Sequence, residues 1–146
     1  MSPLDRPIIF THFPTLAAGI AKERRLARFR DLAGVIEQTQ AAEKRLLPLL
    51  SFARYGEERT AKGSLRHDAN VLSITAISGD HDSGTMTLEE AVDRLRHAGV
   101  AGMVHTTASH TPAKPRWHVF CPLGGVLPPD QHERLTARLN GVLGKH

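Results

Sequence analysis

Residues 70–84 read NVLSITAISGDHDSG, and this stretch decides how the second half of the chain is organised. Its first nine residues are rich in β-branched side chains, a composition typical of a strand. The GDHDSG that follows is made of residues that favour turns. We therefore predict a strand that ends near Ser78 and is closed by a turn carrying Asp80 and Asp82.

The residues after this turn carry the start and stop signals of a helix. In TLEEAVDRLRHAG, Thr87 occupies the N-cap position, Glu90 occupies the capping-box position and Gly99 follows the last helical residue. The apolar residues fall on one face: Leu88, Ala91, Val92 and Leu95. The pattern predicts an amphipathic helix between the turn and Gly99.

Two further strands and a second helix complete the C-terminal half. VAGMVHTT and RWHVFCPL are short apolar runs joined by the polar ASHTPAKP. PDQHERLTARLNGVLG then predicts a helix with an apolar face formed by Leu135, Leu139, Val142 and Leu143. The order β-α-β-β-α is that of a ferredoxin-like or RRM-like split unit without its last strand. Such a unit either borrows a strand from the N-terminal half or leaves a sheet edge open, through which a homodimer could form.

The N-terminal half shows helical spacing. Apolar residues recur three and four positions apart between residues 16 and 36, at Leu26, Phe29, Leu32, Ala33 and Ile36. This spacing predicts an amphipathic helix with its arginines mostly outward. A second helical run, QAAEKRLL, must end near Pro48, and a short strand and a polar, basic loop follow. We predict one α+β domain over residues 1–146, with a helical, basic part (1–69) and an incomplete RRM-like catalytic unit (70–146).

Composition limits the class of protein. A chain of 146 residues with 40% hydrophobic and 23% charged residues is typical of one globular domain. It contains no apolar run of about 20 residues, and its first residues lack the order of a signal peptide, so we expect a cytoplasmic protein. The single cysteine, Cys121, excludes an internal disulfide framework and is expected to be a buried, inert thiol.

The positive charge lies in the first half. Residues 1–70 contain 12 Lys and Arg against 8 Asp and Glu, whereas residues 71–146 contain 7 of each, for a net charge of +4. The densest basic stretch is KERRLARFR, with Lys22, Arg24, Arg25, Arg28 and Arg30. It is either a surface for nucleic-acid phosphates or a solvated helix face.

Asp80 and Asp82 have two interpretations. Residues i and i+2 of a strand project to the same side, so both carboxylates could bind one hard divalent cation such as Mg²⁺ or Mn²⁺. Alternatively, the pair belongs to a turn whose side chains bond to its own backbone. The spacing leaves both open.

A second polar cluster lies between the last two strands. It contains Ser109, His110, Lys114 and Arg116, which are suitable donors for a triphosphate. In a split unit the first and third strands are neighbours, so Arg116 and His118 should lie near the acidic pair. The alternative is a proline-stiffened loop whose polar groups bond locally. No P-loop, dinucleotide-binding or HExxH motif is present.

These motifs together resemble the archaeo-eukaryotic primase superfamily, and more narrowly the primase-polymerase domains of bacterial plasmids and phages. The resemblance rests on the strand that ends in Asp80-His81-Asp82, on ASH at 108–110 and on PRWHVFCPL after it. It extends to the basic segment RTAKGSLRHDANV and covers roughly residues 40 to 143. Family members often have an aromatic residue between the two acids and an arginine after the tryptophan, where this chain has His81 and His118.

The resemblance implies a DNA-directed nucleotidyltransferase that uses Mg²⁺ or Mn²⁺, nucleoside triphosphates and a DNA template, with a helicase as a further partner. It assigns the metal to Asp80 and Asp82, and the nucleotide to Ser109, His110, Lys114 and Arg116, with His110 also catalytic. The basic residues expected to contact nucleic acid are Arg24, Arg25, Arg28, Lys62 and Arg66. The family's third acidic residue follows the last helix and is absent from this sequence. The alternative is therefore an inactive, truncated nucleic-acid-binding or assembly module of a replication system.

Overall fold

The computed structural model describes residues 2–39 and 49–144, which form an α+β fold with two antiparallel sheets. The strands are β1 (Ile8–Phe13), β2 (Lys22–Leu26), β3 (Leu49–Ser51), β4 (Ala53–Tyr55), β5 (Val71–His81), β6 (Met103–Thr106) and β7 (Trp117–Leu127), and the helices are α1 (Leu32–Gln38), α2 (Leu88–Ala98) and α3 (His132–Val142). The described residues contain no helix of the length and apolarity that a membrane crossing requires.

The C-terminal half forms the predicted split unit. Its elements follow in the order β5, α2, β6, β7 and α3, and its sheet has the strand order β4-β5-β7-β6. The fold class inferred from sequence is confirmed. The position beside β5, where a split unit places its last strand, is taken by β4 from the N-terminal half, which pairs with residues 71–74 of β5. β4 thus takes the place of the strand that follows the last helix in other split units.

Helix α2 begins and ends where its capping residues predict. Thr87 Oγ1 accepts a hydrogen bond from the Glu90 amide at 3.1 Å, and Gly99 takes a left-handed conformation with φ of 69°. Ala91 and Leu95 are buried in the core beneath the sheet. Local signals and the apolar face agree here, which is why the sequence was sufficient.

The helix predicted between residues 16 and 36 is wrong over most of its length. KERRL forms β2, a short 3₁₀ turn follows at Phe29–Asp31, and only Leu32–Gln38 is helical. β2 pairs with β1 along its whole length, from Ile8 opposite Leu26 to His12 opposite Lys22. Pairing with a buried strand outweighs the helical spacing, because propensity is a weak prior that tertiary contacts override. The second predicted helix, QAAEKRLL with its stop at Pro48, lies outside the described residues.

The larger sheet is covered on its lower face and on part of its upper face. Its lower face packs on α2 and α3 through Ile77, Trp117 and Val119, all buried. Cys121 lies in the same core, where burial raises the pKa of its thiol to about 11, so it is protonated at neutral pH as expected for an inert cysteine. Part of the upper face meets the N-terminal sheet, where Phe52 contacts Phe120 with ring centroids 4.7 Å apart.

Residues 49–55 join the two sheets. β3 pairs with β1 in the smaller sheet, and after Phe52 the chain continues as β4 in the larger one. Two buried hydroxyls strengthen this junction: Thr11 Oγ1 donates to the Ala53 carbonyl at 2.6 Å, and Thr75 Oγ1 donates to the Ile9 carbonyl at 2.7 Å. The upper face of the larger sheet is therefore held at a defined position against the N-terminal sheet.

Candidate functional site

Asp80 lies within β5 rather than in the turn predicted for it. β5 continues through His81 because β7 keeps pairing with it, with Asp80 opposite His118 and His81 opposite Trp117. The turn contains Asp82 and the two residues after it. Asp80 and Asp82 are both exposed, and Asp80 projects to the upper face because its neighbour His81 is buried on the lower face.

Asp80 contacts His118 across the two central strands. Its Oδ1 lies 3.1 Å from His118 Nε2, and 60% of the Asp80 side chain remains exposed. The strand after the polar loop, β7, therefore lies beside Asp80, as the order of elements predicts. A pair this exposed contributes little to stability. The Asp80 carboxylate is therefore accessible from solvent and has a neighbour that can carry positive charge.

His105 is a neighbour of this pair that the sequence did not indicate. It lies on β6 opposite His118, and the two imidazole rings meet edge to face with centroids 5.3 Å apart. Burial lowers the pKa of His105, so its ring is neutral at pH 7. The register between β6 and β7 places the His105 ring beside His118, the partner of Asp80. No local sequence signal sets this register.

His81, between the two acids, has a structural role. Its ring stacks on Trp117 at 4.8 Å with an interplanar angle of 7°, and only 6% of the residue is exposed. Gly84 lies directly over it with φ of 98°, and a Cβ there would stand 3.2 Å from His81 Cε1. The imidazole thus packs as an aromatic ring between Trp117 and Gly84, and it supports the turn that carries Asp82.

The loop between β6 and β7 orients His110. His110 Nδ1 accepts a hydrogen bond from the Arg116 amide at 3.1 Å, so Nδ1 carries no proton. A neutral imidazole then carries its proton on Nε2, which is left as a donor. Nearby, Thr107 Oγ1 and Ser109 Oγ lie 3.4 Å apart. The loop presents a hydroxyl and an N–H donor, the groups that bind phosphate oxygens.

Arg116 links this loop to the acidic turn. Its Nη1 donates to the Gly84 carbonyl at 3.3 Å and to the Pro115 carbonyl at 2.7 Å. The next residue adds a second link, because Trp117 Nε1 donates to the Met86 carbonyl at 2.9 Å. The two segments singled out in the sequence therefore meet. Lys114, at the tip of the loop, is exposed.

Asp80 and Asp82 offer carboxylate oxygens only, and a cation bound by them would keep water in its other positions. The described residues contain no group of three His, Cys, Asp or Glu side chains placed to hold a metal ion. Two exposed carboxylates remain, and Mg²⁺ is commonly bound by one or two carboxylates with water and substrate phosphates in its other positions. The oxygen chemistry of Asp80 and Asp82 therefore fits Mg²⁺ or Mn²⁺.

The five basic residues expected to contact nucleic acid do not share one environment. Arg24 and Arg25 are successive residues of a strand and project to opposite faces. Arg28 is paired with Asp31, with Arg28 Nη2 2.8 Å from Asp31 Oδ1. Lys62 and Arg66 are exposed on the loop between β4 and β5.

No protein-family model and no curated protein matches this chain. Among solved structures, the chain is similar to the AEP domain of the cyanophage S-2L primase-polymerase, with a TM-score of 0.45 and 14% sequence identity. The similarity covers 98% of this chain and 66% of that one, so the chain spans just under two thirds of that domain.

Proposed function

We propose that this chain is a primase-polymerase-type nucleotidyltransferase domain of a phage or plasmid replication protein. It would transfer a nucleotide from a nucleoside triphosphate to a 3′-hydroxyl on a DNA template. The observation that carries this proposal is the junction of two polar segments: Arg116 donates to the Gly84 carbonyl, which brings the loop of Ser109 and His110 to the turn that follows Asp80. A triphosphate bound by that loop would have its phosphates beside carboxylates that suit a divalent cation.

The residues would divide the work as follows. Asp80 and Asp82 would hold Mg²⁺ or Mn²⁺, which supplies charge neutralisation for phosphoryl transfer when bound. His110 would donate from Nε2 to a phosphate oxygen, since its Nδ1 is occupied by the Arg116 amide. Ser109 and Lys114 would add a hydroxyl and an ammonium donor from the same exposed loop.

A second candidate is a nucleic-acid-binding module without catalytic activity. It is favoured by the donor set, because the described residues offer the cation two exposed carboxylates rather than a cluster of three ligands. Such a module would bind DNA with an affinity that falls with salt and does not depend on a metal. The enzyme instead requires nucleotide binding that depends on both the metal and Asp80.

The test is calorimetric titration of a nucleoside triphosphate with Mn²⁺ into the wild-type chain and into Asp80→Asn and Asp82→Asn. We expect both variants to weaken metal-dependent nucleotide binding by roughly tenfold or more, equal to about 1.4 kcal/mol per tenfold. Asp93→Asn is a matched control, because Asp93 is an exposed acid on α2 and should bind as the wild type does. Equal binding by all four proteins would refute the assignment. Absence of binding in all four would favour the module without activity.

A further inference from the structure

The basic stretch of the N-terminal half is an exposed edge strand. Among the strands that the structure describes, β2 has a single neighbour, β1, in the sheet order β2-β1-β3, and all residues from Lys22 to Arg25 are exposed. Side chains directly opposite each other in an antiparallel pair share a face. His12 opposite Lys22 and Phe10 opposite Arg24 therefore lie on one face of the sheet. Arg25 lies on the other.

The face with Lys22 and Arg24 is positively charged and fixed in position. The Arg24 guanidinium lies over the ring of Phe10, 5.7 Å from its centroid, and Phe10 is completely buried. Burial and the positive charges of Arg24 and Lys22 lower the pKa of His12. His12 is therefore neutral at pH 7 and offers a hydrogen-bond donor between two cations.

Within residues 2–39 and 49–144, this charge has no ion-pair partner, whereas three other arginines of the region do. Arg28 pairs with Asp31, Arg30 with Asp5, and Arg54 with Glu23 on the opposite face of β2. Among the residues that the structure describes, Lys22 and Arg24 form no ion pair. No acidic side chain of the described residues neutralises Lys22 or Arg24, so both can bind an external anion.

A series of ring contacts runs from Phe10, on this face, to His118 beside Asp80. The Phe10 ring, which lies beneath Arg24, packs against the Phe52 ring with centroids 6.4 Å apart, and the centroids of Phe52 and Phe120 are 4.7 Å apart. Phe120 in turn lies 6.3 Å from His118, the partner of Asp80. The three phenylalanine rings belong to one buried cluster, which packs the N-terminal sheet against the sheet that carries Asp80.

We propose that Lys22 and Arg24, together with the His12 ring, bind the phosphodiester backbone of a single-stranded nucleic acid. Lys22 and Arg24 are two residues apart and so project about 7 Å from each other along the strand, which suits successive anionic groups on an extended chain. The partner is a polyanion because the surface offers two cations and a neutral donor. That the bound strand continues toward Asp80 rests on the proposed function, whereas the binding itself does not.

Edge strands also carry Lys and Arg to prevent aggregation. That role needs charge on the strand but not on a particular face, so Arg25 would serve it as well as Arg24 does. The two arginines are neighbours with equal charge and opposite orientation. They therefore provide a matched pair of substitutions.

The experiment measures binding of a labelled oligo(dT) of about 20 nucleotides by fluorescence anisotropy at about 50 to 300 mM salt, with EDTA and without nucleotide. We expect Arg24→Gln to weaken binding several-fold and to reduce the salt slope by about 0.7, the value for one lost phosphate contact on a single strand. Arg25→Gln should stay within about twofold of the wild type, because it loses the same charge on the other face.

Lys22→Gln guards against an effect on folding, since it alters the same face without touching the contact between Arg24 and Phe10. Equal losses in Arg24→Gln and Arg25→Gln would overturn the proposal in favour of diffuse edge charge. So would unchanged binding in both Arg24→Gln and Lys22→Gln, or no binding by the wild type. Because metal and nucleotide are absent, any of these results leaves the assignment of Asp80 and Asp82 untouched.

Discussion

Arg116 shows how the role of a residue can differ from the chemistry its type suggests. Its position after a polar loop predicted a phosphate contact, yet its Nη1 donates to the carbonyls of Gly84 and Pro115. Those bonds hold the loop of His110 against the turn of Asp82. The guanidinium therefore positions both segments, whatever contact it also makes with a nucleotide.

This role can be separated from a simple charge contact. Arg116→Lys keeps the charge but replaces the planar guanidinium, whose Nη1 reaches both carbonyls, with a shorter side chain that ends in an ammonium group. If Arg116 positions the loops, Arg116→Lys should lower nucleotide affinity nearly as much as Arg116→Met, by roughly tenfold, or about 1.4 kcal/mol. Hydrogen exchange of residues 82–87 should increase in both variants. Near-complete rescue by lysine with unchanged exchange would instead assign Arg116 to direct phosphate binding.

Individual site residues could be predicted from sequence where a strand pattern places them. Asp80 beside His118 followed from the order of elements, because a split unit puts its first and third strands side by side. His105 could not be predicted, because its proximity depends on the register of a hairpin with a ten-residue loop. Whether Asp80 and Asp82 bind one cation stays a prediction.

At the scale of elements, α2 and β2 illustrate opposite outcomes. Helix α2 has an N-cap, a C-cap and an apolar face that all agree. The sequence of β2 has helical spacing and good helix formers. It forms a strand because it pairs with β1, whose other edge pairs with β3. Sequence patterns along one segment contain no information on such long-range pairing, so the strand was assigned as a helix.

The cap of α2 contributes to stability in a measurable way. Thr87→Ala removes the acceptor for the Glu90 amide and should lower the free energy of unfolding by about 1 kcal/mol. Urea denaturation should show a lower midpoint with an unchanged slope. Thr87→Ser, which keeps the hydroxyl, should restore most of the loss. If serine unfolds as alanine does, the hydrogen bond is not the source of the effect.

At the scale of the molecule, two sheets share one short segment. Residues 49–55 pair with β1 at one end and with β5 at the other. This arrangement supplies the strand that the C-terminal unit lacks, and it packs β1, the neighbour of β2, against the sheet that carries Asp80. The order of elements predicts either a borrowed strand or an open sheet edge. That β4 supplies the strand depends on pairing between distant segments, which the sequence pattern does not show.

The proposed function requires a divalent cation and a nucleotide to bind where the turn after Asp80 meets the loop of His110. The most direct test is paramagnetic broadening by Mn²⁺ in amide NMR spectra recorded with a nucleoside triphosphate. We expect the amide signals of residues 80–84 and 107–116 to broaden first, and Asp80→Asn to abolish this broadening. A second acidic cleft, lined by Asp68, Asp130 and Glu133, provides the contrast. Broadening centred there, and unchanged in Asp80→Asn, would contradict the account.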